Sequence, residues 1–337
     1  MSTAPPGSVR APERARDLDD GFRRVVDAHR AELHAHCYRM LGSFHDAEDA
    51  LQETLLRAWR GLPGFDGRSS LRTWLFRIAT NACIDAVARR PKRVIPIDYG
   101  PPAATSADLG PPLTEVAWLE PYPGEVPEGF AAPHARYEQR EAVELAFVAA
   151  LQYLPARQRA VLILREVLGF SAKEVSEALE TSVASVNSAL QRARKALEQR
   201  LPGPSQQETL RLLGDRRVKE LVDSYVDAWM RRDFEALRSL LAEDVTFSMP
   251  PWPGWWRGCD AIAAMLEEAA DSCPPGRAVP TTANGQPALA YYSLDAASGR
   301  YLALAIDVLT LDGASITDIT GFVTPDLFAD FGLPAEL

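Results

Sequence analysis

Apolar residues along the chain keep a helical period, lose it, regain it, and end in short runs of strand character. Val25, Val26, Leu33, Cys37, Met40 and Leu41 recur at helical spacing and stop at Gly42, which suits the left-handed position that ends a helix. Ser43 and Asp46 can cap a second helix. In it Ala47, Ala50, Leu51, Thr54, Leu55 and Ala58 form an inward stripe, while Asp46, Glu48, Asp49, Gln52 and Glu53 lie elsewhere on its surface. After Gly61-Leu62-Pro63 and a polar loop, Ser69 or Ser70 caps a third segment, with Leu71, Leu75, Ile78, Ala82 and Ala86 on one face and Pro91 as its stop.

From 94 to 140 the chain is acidic and rich in Pro and Gly, with no sustained period, and reads as an extended linker. Helical spacing returns over Glu141 to Leu154 and again from Pro155 to Leu168, with Gly169 at the end. Ser171-Ala172-Lys173-Glu174 is a Ser-x-x-Glu capping box, in which hydroxyl and carboxylate each satisfy a free backbone N–H. A tight turn follows, and Thr181 or Ser182 caps a helix that buries Val183, Val186, Leu190, Ala193 and Leu197. The two short helices across that turn make a helix-turn-helix. Beyond a linker at 201–215, an amphipathic helix over Val218 to Leu241 precedes strand-like runs at Ala288 to Leu294, Tyr301 to Leu311 and Ile316 to Val323. The expected architecture is multidomain: an all-α unit at 21–93, a helix-turn-helix unit at 141–200 and an α+β unit at 216–337. Residues 1–20, without an apolar run, are expected to be disordered.

Composition narrows the function. The net charge is −10, which argues against broad electrostatic binding to nucleic acid, yet residues 71–93 carry six Lys/Arg against one Asp. Residues 94–144 carry two Arg against nine acids, and 216–337 carry nine cations against eighteen acids. Cys37, Cys83, Cys259 and Cys273 have neither Cys-x-x-Cys spacing nor a His-rich partner segment. Reduced thiols of a cytoplasmic protein are therefore expected, with no metal and no cofactor. No segment is long and apolar enough to span a bilayer, so no membrane partner is expected.

Asp46-Ala47-Glu48-Asp49, Gln52-Glu53, Arg57-Ala58-Trp59, Phe65, Thr73-Trp74-Leu75 and Ile78-Ala79-x-Asn81 resemble, in order and spacing, region two of the extracytoplasmic-function (ECF) sigma factors. Residues 145–198, with Leu154-Pro155, the capping box and Leu190-Gln191-Arg192-Ala193-Arg194, resemble region four. The resemblance implies a subunit that gives core RNA polymerase its promoter specificity and opens the DNA. Asp46, Glu48, Asp49, Gln52 and Glu53 would dock on a coiled coil of the polymerase, or else form a solvated helix face. Phe65 and Asn81 would hold a flipped base of the minus-ten element. Arg72, Arg77, Arg89, Arg90, Lys92 and Arg93 would contact phosphates, which adds affinity without sequence information. Trp74 is either core or stacking surface, and Asp85 either faces the melted strand or pairs with Arg89 one turn on. Ser182, Ser185, Asn187, Ser188, Gln191 and Arg192 would face the minus-thirty-five element in the major groove. The family commonly has a Lys and an Arg where this chain has Asn187 and Ala189, which implies a shallow salt dependence for this unit. The linker would thread the polymerase cleft toward the RNA exit path, or serve as a tether.

Residues 216–337 are similar to the SnoaL-like (NTF2-like) cone, a curved sheet around helices that leaves a pocket. Trp229, Asp244, Trp252, Trp256 and Tyr291 are its candidate pocket residues, although any of the aromatics could equally fill the core. All five histidines precede this unit, and Asp244 and Asp307 have no evident acid/base partner. An enzyme is therefore not expected, and a modulating domain is. An anti-sigma protein or a small ligand is a further candidate partner. The alternative is a helix-turn-helix regulator with a ligand-sensing C-terminal domain, which leaves residues 43–93 without a role; an enzyme with a DNA-binding appendage ranks third.

Overall fold

The computed structural model describes residues 10–105, 109–124, 143–201, 203–269 and 275–337. The later half of the linker, the helix start expected at Glu141, and Cys273 lie outside the described residues.

Three helices form the first unit: α1 (Arg10–Leu41), α2 (Phe44–Gly61) and α3 (Leu71–Val87). Helix α1 begins eleven residues earlier than the disordered stretch expected at 1–20 would allow. Of the candidate caps, Ser43 accepts from the Asp46 N–H at 3.0 Å and Ser70 from that of Thr73 at 3.0 Å. Gly42 sits at φ +70°, and a Cβ there would lie 2.8 Å from Leu119 of the linker, so the helix end is fixed by backbone and packing together.

The second unit holds α4 (Leu145–Leu151), α5 (Ala156–Leu162) running into a π-helical turn at Ile163–Val167, α6 (Ala172–Ala178) and α7 (Val183–Glu198). Both halves of the Ser171/Glu174 capping box are formed, and Ser182 caps α7. Helices α6 and α7 are the expected helix-turn-helix.

In the third unit the expected single helix is two, α9 (Asp215–Arg231) and α10 (Phe234–Leu240), because Arg232 adopts a left-handed conformation. A further helix, α8 (Gln206–Leu213), lies within the stretch read as linker. Strands β1 (Leu241–Ser248), β2 (Trp255–Arg257), β3 (Gly276–Ala283), β4 (Gln286–Asp295), β5 (Arg300–Asp312) and β6 (Ser315–Phe322) form one sheet in the order β2-β1-β6-β5-β4-β3, with α11 (Cys259–Ala269) after β2 and α12 (Leu327–Asp330) at the end. Among the described strands of this sheet, only β1 and β6 pair in parallel.

Alternation along β4 and β5 gives this sheet two apolar faces. Leu289, Leu309 and Leu311 face α9 and α11 and belong to the unit's own core. Ala288, Ala290, Tyr292, Ile306 and Val308 face the other way, into a cluster that continues through Tyr122, Leu151 and Leu33 of the helical units. The sheet is therefore shared between two cores, and the C-terminal unit is not a tethered appendage. Asn284, fully buried in the β3–β4 turn, ties this joint. Its amide donates to Tyr38 Oη at 2.8 Å and to Val143 O at 2.6 Å, while its oxygen accepts from Tyr122 N–H at 2.9 Å.

The described part of the linker is a strap, not a free tether. Glu120 N–H donates to Gly42 O, Ala103 N–H to Trp255 O, Leu113 N–H to Pro251 O, and Gly124 N–H to Thr282 O. Trp118, Leu119 and Tyr122 are buried along it, and Leu109 packs against the core of the C-terminal unit. Backbone pairing and scattered anchors hold it, which a search for periodicity does not register.

Candidate nucleic-acid and polymerase interfaces

Helix α3 carries the basic stretch. Arg77, Asn81 and Asp85 repeat at four-residue spacing and are all exposed, so they line one outward face. Phe65 is half-buried in the preceding loop, its ring centroid 5.2 Å from that of Trp74. Trp74 itself is only 7% exposed and packs under Gly61. Of its two expected roles, the core role is the one this arrangement allows. Asp85 pairs with Arg57 at 3.3 Å and not with Arg89, because α2 lies alongside α3.

Four of the six expected phosphate-binding cations already have partners inside the protein. Arg72 binds Glu32 of α1 at 2.5 Å, lies over the Phe76 and Phe170 rings at 5.0 and 4.6 Å, and donates to Leu168 O at 3.4 Å. Arg90 and Arg93 pair with Asp46, and Lys92 and Arg200 both lie over the Tyr153 ring. Burial lowers the ammonium pKa of Lys92, and nearby Arg200 adds to this against Asp98. Arg77 and Arg89 are exposed and make no ion pair among the described residues. Of the six expected phosphate-binding cations, these two are free to meet DNA in this arrangement.

The acidic face of α2 is divided in the same way. Asp46 is occupied by Arg90 and Arg93, and Glu48 by Arg30 at 2.7 Å, with His34 at 3.5 Å. Glu53 pairs with Arg57, while Asp49, 3.8 Å from Arg90, and Gln52 are exposed to solvent. Leu56 and Trp59 are exposed on the same helix, an apolar feature that the charged pattern did not bring forward.

In the helix-turn-helix, Ser182, Ser185, Asn187, Ser188, Gln191 and Arg192 are all exposed, and Val186, Leu190 and Ala193 are buried. Helix α7 thus offers one polar face of the width a major groove accepts. Val183, expected inward, is 43% exposed, since it opens the first turn ahead of the packed stripe.

Helix α6 meets α3 directly. Thr73 Oγ1 donates to Glu174 Oε1 at 3.2 Å, and Glu174 also completes the capping box. Burial works to raise the Glu174 pKa, but hydrogen bonds from Ser171 and Thr73 and the charge of Arg72 lower it overall. Below this contact Arg159 is buried, donating to Met40 O of α1 and to Gln152 Oε1 at 2.6 Å. Burial pushes its guanidinium down to about 10. Glu32, Phe170 and Arg159 were not singled out by sequence: each is an ordinary residue until its distant partner is known.

Within the C-terminal cone, Trp229 stacks with Tyr225 and meets Tyr291 edge-on, with ring centroids 6.3 Å apart in both pairs. Asp307 on β5 lies on the same face of the sheet, beside Gly321 of β6, where a Cβ would come within 2.6 Å of its carboxylate. Burial pushes Asp307 up to about 7, and its charge adds to the burial that raises the Tyr225 pKa. Two expected pocket residues do not belong here. Trp256 is 1% exposed and fills the core against Phe247, and Asp244 is exposed because it precedes inward Val245 on β1. Trp252 is half-buried in the β1–β2 turn.

Residues 25–93 match the family described as Sigma-70 region 2, 144–197 match Sigma-70, region 4, and 222–319 match the SnoaL-like domain. The chain is 42% identical over 336 residues to the ECF RNA polymerase sigma factor SigG of Mycobacterium tuberculosis, across 98% of this chain and 90% of that protein. It belongs to the ECF sigma factors. The sigma factor is also 31% identical to SigW of Bacillus subtilis over 186 residues, 54% of this chain and 89% of that protein. The crystal structure of the ECF sigma factor SigJ of Mycobacterium tuberculosis has the same fold, with a TM-score of 0.62 at 22% identity over 93% of this chain and 99% of that one. As a sigma factor the chain is a promoter-recognition subunit of RNA polymerase. Among the described residues no helix is long and apolar enough to cross a membrane.

Proposed function

We propose that the packed arrangement is a resting state of the sigma factor, in which the C-terminal unit and the strap hold region four against region two, and that promoter binding requires this contact to open. The Arg72 cluster carries this reading. Promoter elements centred near −10 and −35 lie about 25 base pairs apart, roughly 85 Å at ~3.4 Å per pair. Helices α3 and α6 touch through Thr73 and Glu174, so the two regions cannot sit on both elements together. In the opened state Arg72 would exchange Glu32 for a phosphate, joining Arg77 and Arg89. Phe65 and Asn81 would hold the unstacked minus-ten base, and Ser182, Ser185, Asn187, Ser188, Gln191 and Arg192 would read the upstream element. Asp49, Gln52 and Glu53, with Leu56 and Trp59 nearby, would meet polymerase. We read the SnoaL-like unit as a regulatory surface and not as a catalyst: it contains no histidine, and Asp307 has no hydrogen-bond partner among the described residues.

Run-off transcription with purified core polymerase tests the scheme. Glu32→Gln, which loosens Arg72 without touching a DNA-facing residue, should raise promoter-specific initiation. Phe65→Ala with Asn81→Ala should abolish strand opening, read by permanganate reactivity of the minus-ten thymines, while leaving polymerase association intact. Unchanged initiation in the first variant would refute the resting state, and normal opening in the second would refute the base pocket.

A further inference from the structure

Region four and the C-terminal unit do not close completely on each other. Between them lies a cavity of about 680 Å³, inside the ~300–1,000 Å³ range of small-molecule sites. Phe147, Leu162 and Leu197 of region four form its apolar wall, and the end of β5 from Thr310 to Asp312 closes the opposite side. This is not the cone interior: Leu311 and Thr310 present the end of the β5–β6 hairpin, far along the strands from Asp307. The polar lining is one-sided, with four carboxylates to a single guanidinium. That guanidinium, Arg194, is already bound to Glu166 at 2.8 Å, and Glu144 accepts the Gln207 N–H at 2.6 Å. Glu198 and Asp312 remain exposed at the cavity, without an ion pair among the described residues.

From this geometry we infer that the cavity binds an amphipathic organic cation, with its apolar body against Phe147, Leu162 and Leu197 and its ammonium group at Glu198 and Asp312. An anion would meet uncompensated carboxylates, and a neutral chain would leave them unused. Such an occupant touches α7 and β5 at once. It reaches all its contacts only while the two units are packed, so it stabilises that arrangement by mass action. The regulatory consequence rests on the resting state proposed above; the binding site does not.

Calorimetric titration of the full chain with octylamine, octanoate and octanol, which share one tail and differ in head group, tests the site. Octylamine should bind with one-to-one stoichiometry, and octanoate at least tenfold more weakly. Glu198→Gln combined with Asp312→Asn, both at exposed positions, should weaken octylamine by roughly tenfold without changing the melting curve. Ala146→Trp, which fills the cavity from an exposed position on α4, should abolish binding. Equal binding of all three probes, no binding of octylamine, or binding that survives both variants would each overturn the site. Binding as described that leaves run-off transcription unchanged would establish the site and overturn the resting state instead.

Discussion

Two joints hold the sigma factor together, and they are built from different chemistry. Where the C-terminal sheet meets the helical units, the contact is an apolar face closed by neutral amides, with Asn284 fully buried and bound to three partners. Where the helix-turn-helix meets α3, Arg72, held by Glu32 of α1, reaches Leu168 O and Phe170 and its charge acts on Glu174, which also accepts from Thr73, and the Arg72 side chain is 28% exposed. Neutral hydrogen bonds in a dry core are indifferent to ionic strength, whereas a partly exposed ion pair weakens as salt rises. In the resting state proposed above, the first joint is the hinge block and the second is the latch. If the molecule opens, it opens between α3 and α6.

The most damaging way to break this contrast is at Asn284. Asn284→Ala removes the partners of Tyr38 Oη, Val143 O and Tyr122 N–H, and places alanine at φ +56°. A loss of about 3–5 kcal/mol is expected from the groups left unsatisfied. Denaturant unfolding should then separate into two transitions, the C-terminal unit melting apart from the helical units. A single, fully cooperative transition at undiminished midpoint would mean that the joint is not what couples them. The same shared sheet makes truncation after Pro204 a poor probe of regulation, since it would bare the face of Tyr122, Leu151 and Leu33 that the sheet covers.

The latch should give way more gently. Glu32→Gln removes the charge paired with Arg72 and is expected to weaken closure by about 1–2 kcal/mol, roughly a tenfold shift in the closed fraction. Distances between spin labels on α3 and α6 would report it directly. Raising salt should lengthen that distance in the parent protein and have less effect in the variant, because the charge that salt screens is already gone. A salt response identical in both would remove Glu32 from the latch.

Much of this contrast was illegible in the sequence for a physical reason. Helical stripes, the capping box and the helix-turn-helix are local, and the chain displays them within seven residues of one another. The helical spacing of α10 carries on into Leu241, the first residue of β1, and nothing in the rest of β1 marks it as a strand, while Pro280 and two threonines interrupt the apolar pattern of β3. The basic character of 71–93 was visible, but its use was not. Glu32 stands 40 residues from Arg72 and Leu168 stands 96, so no spacing rule could assign that arginine to an internal pair ahead of a phosphate. For the pocket of the cone, the resemblance points to Trp229 and Tyr291, while Trp256 on β2 and Asp244 on β1 depend on which way two strands face that no alternation in the sequence marks.

The smallest expected effect lies at a third contact, where His45 joins α2, the strap and α12. Its two ring nitrogens lie 3.0 Å from Glu120 and 3.3 Å from Asp330. Burial works against its charge, but Glu120 foremost, with Asp330 and Asp46, raises its pKa above the ordinary 6.5. Arg93 also reaches Glu120, at 3.4 Å, and Asp330 is itself raised by burial, partly offset by His45. A raised pKa means that the contact is at full strength below pH 6.5 and fades as pH climbs through the higher, packed-state value. His36 has the opposite sign. Buried against Thr80 at 2.9 Å and lowered to about 3, it stays neutral in the fold and withdraws stability as pH falls below 6.5. Labels on α2 and α12 should therefore separate slightly between about pH 6 and 8 in the parent, and His45→Gln should flatten that response while leaving the acid limb set by His36 in place. If the separation persists in His45→Gln, its source lies elsewhere and the third contact is not a pH-dependent one.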